Sequence, residues 1–174
     1  MKSFTAPWLA CLAVVTLAGA GVHAATPTPP PANVTVHYGD TKQFTETKRS
    51  AFASPIDLYG YLEPLKTYIA QRASRVLAPD QRLDVTVTDV DLAGEYEPWH
   101  GPDLSRVRII KSIYPPRIDL DFTLYGADGK VLRQGHRSLR DLSFMDHGST
   151  NNHDSLRYEK ALIDRWLRQG VDKL

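Results

Sequence analysis

The chain has 174 residues, with 21 Lys and Arg against 20 Asp and Glu, six His and one Cys. So even a charge balance leaves no overall electrostatic footprint for nucleic acid or an anionic membrane, although a local patch stays open. The single cysteine, Cys11, falls in a leader segment, so the chain left after its removal has no disulfide, thiol nucleophile, Cys-ligated zinc or iron–sulfur site.

Residues 1–24 read as a signal peptide. Lys2 supplies the positive start, "LACLAVVTLAGAGV" is an apolar core too short to span a bilayer comfortably, and Val22-His23-Ala24 fits the small-x-small cleavage pattern. Cleavage after Ala24 leaves 150 residues with 20 basic and 20 acidic side chains. That is the size of one compact domain and is enough to bury an ordinary core. The expected location is the periplasm or the exterior, with no transmembrane span after processing. "ATPTPPPA", residues 25–32, is a proline-rich spacer. Residues 33–174 are expected to form a single α+β domain.

"NVTVHY" alternates Val34, Val36 and Tyr38 against Thr35 and His37, which predicts a strand. Residues 39–53 are mixed and predict an irregular connection. Ser54-Pro55-Ile56-Asp57 is a helix start, and Leu58, Leu62, Leu65, Ile69, Ala73 and Val76 follow on one helical stripe. Pro64 inside that stripe predicts either a kink or a start delayed to about Leu62. "RLDVTVTDV" puts Leu83, Val85 and Val87 on one face of a strand. "SRVRIIKSI" puts Val107, Ile109 and Ile113 together, opposite Arg106 and Arg108. "RIDLDFTLY" puts Ile118, Leu120, Phe122 and Leu124 together. Asp128-Gly129 is a hairpin signal leading to a strand over about 130–140, in which Gly135 predicts a bulge. A last helix starts near Ser155 with Asp154 as its cap, and carries Leu156, Ile163, Trp166 and Leu167 on one stripe. Together these predict an antiparallel sheet of four to five strands, one long helix after the first strand, and a C-terminal helix packed on the sheet.

The chemistry-bearing residues gather in "DVDLAGEYEPWHGPDLSRVRI". Asp89 and Asp91 continue the core-facing alternation of their strand, where an unpaired carboxylate is costly. Either the strand ends before them, or they meet backbone amides or a basic partner such as Arg106 or Arg108. Asp89, Asp91, Glu95, Glu97, Trp99 and His100 form a candidate ligand- or partner-binding loop. Trp99, held between Pro98 and His100-Gly101-Pro102, either stacks on a ligand or folds back to cap the sheet core. Glu159 stands within the apolar stripe of the last helix. It is satisfied by the helix N-terminus or, if buried, needs Arg117, Arg137 or Arg140. His100, His147 and His153 lie in aspartate-containing loops, but no histidine pair has a ligand spacing, so no metal or other cofactor is assigned. There is no GxSxG, Ser-x-x-Lys or glycine-rich phosphate loop, and no residue is assigned as catalytic.

"VTDVDLAGEYEPWHGP", "VRIIKSIYPPRIDLDF", "DGKVL" followed by "LRDLSF", and "LRYEKALIDRW" occur in that order. The chain in this respect resembles the bacterial family known as domain of unknown function 3016, from about Val34 to Trp166. The resemblance implies a single exported or envelope domain and brings no catalytic or binding residue with it. Two functions stand beside each other. One is a non-enzymatic protein binding a small ligand or an envelope partner, without nucleic acid. The other is an envelope-polymer hydrolase using the loop carboxylates, with or without a His/Asp metal site.

Overall fold

The computed structural model describes residues 31–49, 59–101, 105, 107–146 and 153–169. Its elements in chain order are β1 (Val34–Tyr38), α1 (Thr45–Arg49), α2 (Leu62–Ser74), β2 (Arg82–Asp91), β3 (Glu95–Tyr96), β4 (Arg108–Ile109), β5 (Arg117–Tyr125), β6 (Val131–Arg140) and α3 (Arg157–Arg168). Single 3-10 turns lie at Thr41–Gln43 and Pro98–His100. The architecture is α+β, as expected.

The main sheet has the order β1-β2-β5-β6, and β3–β4 is a separate two-stranded ribbon. Of the main-sheet pairs, β2–β5 and β5–β6 are antiparallel, whereas β1 runs parallel to β2 with Val36 beside Val85. The sheet is therefore mixed, and the purely antiparallel expectation is corrected. The β1–β2 connection carries α1 and α2, and a helical crossover, unlike a hairpin, lays the strands it joins side by side in the same direction.

One face of the sheet is the core. Leu83, Val85, Val87 and Val90 of β2 meet Ile118, Leu120, Phe122 and Leu124 of β5, all buried. Leu65, Ile69, Ala70 and Ala73 of α2 and Leu162, Ile163, Trp166 and Leu167 of α3 close over them. The other face presents Asp119, Asp121, His136 and Ser138 in hydrogen-bonded cross-strand pairs.

Several local expectations change in the folded chain. Residues 54–58 lie outside the described residues. Helix α2 begins at Leu62, which puts Pro64 in its first turn, where its missing amide has no helical partner to lose. The helix stops at Ser74, so Val76 leaves the stripe and is exposed while Leu77 is buried. The connection after β1 is not wholly irregular, because it contains α1. Gly135 stays in register opposite Phe122, and the register shift in this hairpin falls at Leu124/Tyr125. A Cβ at Gly135 would lie 3.4 Å from the Phe122 ring, so the glycine makes room for the aromatic instead of marking a bulge.

Phe122 packs against Trp166 at a centroid distance of 6.0 Å, with the Arg137 guanidinium 5.1 Å from its ring. Phe122→Ala is expected to lower the unfolding free energy by about 3–5 kcal/mol in urea titrations. A loss under about 1 kcal/mol would mean that the ring is not packed at the centre of the core.

Candidate functional site

The two ends of the candidate loop are fixed by a change of register in β2. Between Val87 and Asp89 the pairing with β5 shifts, so that Val90 fills the core position that simple alternation gives to Asp89. Asp89 and Asp91 thereby reach the polar face, and the expectation that Asp89 points into the core is corrected. A bulge inserts one residue and moves every later side chain to the other face.

Asp89 does meet an arginine and backbone amides, but not the arginines expected. The Thr45 amide (2.5 Å) and the Val90 amide (3.0 Å) donate to Oδ1, and the Thr45 hydroxyl (2.6 Å) and Arg117 Nη2 (2.5 Å) donate to Oδ2. The carboxylate sits at the N-terminus of α1, where the helix dipole favours negative charge. Asp91 pairs with Arg49 at 3.1 Å, and the same guanidinium reaches Glu95 at 2.6 Å. Burial raises the pKa of Asp91, with Arg49 opposing the shift. Glu97 is 1 % exposed and accepts from Lys111 Nζ (2.6 Å) and the Tyr114 hydroxyl (2.8 Å). Each of these four carboxylates is thus paired with a cation, Asp91 and Glu95 sharing Arg49.

Trp99, at 69 % exposure, does not cap the sheet core, and that alternative is corrected. The Pro98–His100 turn holds it out. His100 closes that turn, but its side chain lies outside the described residues, as do Arg106 and His147. Among the described residues no group of three His, Cys, Asp or Glu is placed to hold a metal ion.

Sequence reasoning missed the groups buried beneath the loop. Arg108 points inward, contrary to the expected strand facing, while Val107 and Ile113 are exposed. The β4 strand is only two residues long, too short to impose an alternating pattern. Arg108 Nη2 is bonded to Glu46, which is 2 % exposed. Arg108 Nη1 donates to the Gly94 carbonyl at 3.2 Å, and its guanidinium lies 4.7 Å from the Tyr96 ring centre. Burial alone would lower the Arg108 pKa, but the Glu46 carboxylate outweighs it and keeps the guanidinium charged. Gly94 has φ +87°, and a Cβ there would fall 2.8 Å from the Ile109 carbonyl oxygen, so only glycine fits this turn. No periodic signal marked Glu46, an isolated acid in a five-residue helix.

Two buried acids hold consecutive amides. Glu46 Oε2 accepts from Leu92 N–H at 3.1 Å, and Glu159 Oε1 from Ala93 N–H at 2.7 Å. Glu159 is 1 % exposed, and its Oε2 has no hydrogen-bond partner. The expected partners Arg117, Arg137 and Arg140 are replaced by a backbone amide. Burial pushes its pKa up to about 7, with the Ala93 amide and Arg108 opposing the shift and Glu46 adding to it.

Two clefts flank the stretch that these acids hold. One, of about 450 Å³, is lined by Tyr61, Leu92, Ala93, Tyr96 and Arg108 together with the start of α3, including Ser155, Tyr158 and Lys160. The Tyr61 hydroxyl at its wall is buried without a hydrogen-bond partner. The other, of about 280 Å³, is lined by Arg49, Asp91, Gly94, Tyr114, Arg117 and Arg140. Leu92 borders both.

Glu159 gives the protein a pH dependence of known sign. The folded state binds this proton more tightly than the unfolded chain, since a pKa of about 7 replaces the ordinary 4.5. Its contribution is complete below the unfolded pKa and is lost as the pH rises through about 7, a loss of about 3 kcal/mol. In urea titrations at about pH 4.5 and pH 8, Glu159→Gln is expected to remove that part of the difference. Equal pH dependence in the two proteins would contradict the assignment. Trp99→Ala is expected to melt within about 0.5 kcal/mol of the parent, measured by calorimetry, because the indole is mostly in solvent.

No helix among the described residues is long and apolar enough to cross a membrane. The family model described as "Protein of unknown function (DUF3016)" matches residues 32–169. No curated protein and no solved structure matches the chain.

Proposed function

With the chain belonging to the DUF3016 family, whose description assigns no activity, we propose that it is an exported, non-enzymatic protein that binds a small ligand in the cleft between Tyr96–Arg108 and the start of α3. The observation that carries this reading is the wall of that cleft. Tyr61, Tyr96 and Tyr158 supply aromatic surface, Arg108 and Lys160 supply charge, and the Tyr61 hydroxyl is a buried donor awaiting an acceptor. Apolar walls with a few convergent polar groups are the usual make-up of a small-molecule site.

Binding is favoured over hydrolysis by the state of the loop carboxylates. Asp89, Asp91, Glu95 and Glu97 are committed to Arg117, Arg49 and Lys111. A general acid or base must lie within hydrogen-bond reach of the atom it serves, and the oxygens of these four are already engaged within the protein. Two of the cations they hold, Arg49 and Arg117, line the smaller cleft instead. Export rests on the leader pattern of residues 1–24.

Both halves are open to mass spectrometry. Protein expressed with its native leader is expected in the envelope fraction as a chain beginning at Ala25, and a full-length cytoplasmic product would refute export. The purified mature protein, mixed with the small-molecule extract of the envelope, is expected to retain an adduct under native conditions. Ser155→Trp, which fills the cleft from its exposed rim, should lose it. Retention by both proteins, or by neither, overturns the binding reading.

A further inference from the structure

We propose that the smaller cleft, between Arg49, Arg117 and Arg140, is an anion site that takes the carboxylate or phosphate group of a small molecule. It is distinct from the cleft assigned above and does not depend on that assignment.

The argument starts from register. At the end of the sheet Asp91, Arg117 and Arg140 stand side by side across β2, β5 and β6. Like charges directly opposite each other on neighbouring strands are destabilising, so the Arg117–Arg140 pair calls for a negative group between them. The protein does not supply enough. Both Asp91 oxygens are taken by Arg49 Nη1. Glu95 is divided between Arg49 and the Tyr96 amide, and Asp89 is saturated by Thr45, Val90 and Arg117. On the donor side capacity is left over. Arg117 Nε is buried with no hydrogen bond, the Asp119 carboxylate standing 3.9 Å away. The Arg140 side chain is exposed and makes no ion pair or side-chain hydrogen bond among the described residues.

The cleft gives these donors a shape. Its volume of about 280 Å³ limits the occupant to a small molecule, and Ile113, Tyr114 and Pro115 offer a short apolar wall beside the guanidinium groups. Planar guanidinium donors fit the paired oxygens of a carboxylate or phosphate, and hydrogen bonds of this kind are among the stronger ones proteins make. Arg49 is fixed by Asp91 and Glu95, and Arg117 by Asp89, so two of the three cations are already oriented. Arg140 is the one left to close on the ligand.

The test is titration calorimetry and thermal melting of the whole mature protein with inorganic phosphate and with succinate, against sodium chloride at matched ionic strength. Phosphate or succinate near saturation is expected to raise the melting temperature by about 2–4 °C, with sodium chloride giving no such rise. Arg140→Gln should weaken binding by about tenfold or more, yet melt no lower than the parent without ligand, because it relieves the repulsion of Arg117. Arg75→Gln makes the same charge change at the exposed end of α2 and should bind like the parent, as should Ser155→Trp. The proposal fails if neither anion exceeds the salt control. It also fails if Arg140→Gln binds as tightly as the parent, or if Arg75→Gln loses as much affinity as Arg140→Gln.

Discussion

Where β2 ends, the backbone leaves the sheet while still beneath the surface, and two consecutive amides, those of Leu92 and Ala93, have no strand to donate to. An orphaned buried amide costs free energy comparable to a lost hydrogen bond. Glu46 from α1 takes the first and Glu159 from α3 takes the second. Two helices far apart in sequence are thus tied to one turn of chain. Arg108, drawn in to neutralise Glu46, carries β4 with it, and Gly94 allows the reversal that brings β3 alongside. A ribbon of two residues per strand has little stability of its own; this one exists because the buried polar groups beneath it must be satisfied.

That dependence explains how the loop acquired its look of a catalytic centre. A cluster of acids, aromatics and arginines in one stretch of sequence is what an active site contains, and it is also what an excursion of backbone requires when it is fastened by charge instead of by apolar packing. In the structure Asp89, Asp91 and Glu95 hold Arg117 and Arg49, which line the smaller cleft, and Glu97 holds Lys111. Among the described residues, unmet hydrogen-bonding capacity lies elsewhere, at the Tyr61 hydroxyl, Arg117 Nε, Glu159 Oε2 and Trp166 Nε1.

Alternation of apolar residues carried the reading of β1, β5 and the first half of β2, and helical spacing carried most of α2 and α3, because burial on one face imposes a strict period on the sequence. The reading failed where no such period operates. The register shift after Val87 turned a predicted core aspartate outward, and nothing in "VTDVD" announces it. Arg108 was placed on the outer face by counting from neighbours that turn out to be exposed. Its inward direction follows from Glu46, sixty-two positions earlier, and contacts across that distance leave no local trace. The parallel pairing of β1 was legible in principle, since a strand, a helix and a strand in succession point to a crossover, but the clear hairpin later in the chain favoured a uniformly antiparallel sheet. The family resemblance, from about Val34 to Trp166, agreed with the family match over residues 32–169 and could say nothing about partners within it.

The parallel edge strand also bears on the order in which the fold can assemble. Among the described elements β1 comes first in the chain, yet its sheet neighbour is β2, and both α1 and α2 must be made in between. Hairpin partners such as β5 and β6 find each other across a short turn, whereas β1 waits as an unpaired strand until the crossover is complete. An exposed strand awaiting its partner is a template for wrong pairing between chains. Its five residues, preceded by a run of prolines that cannot join a ladder, keep that template short.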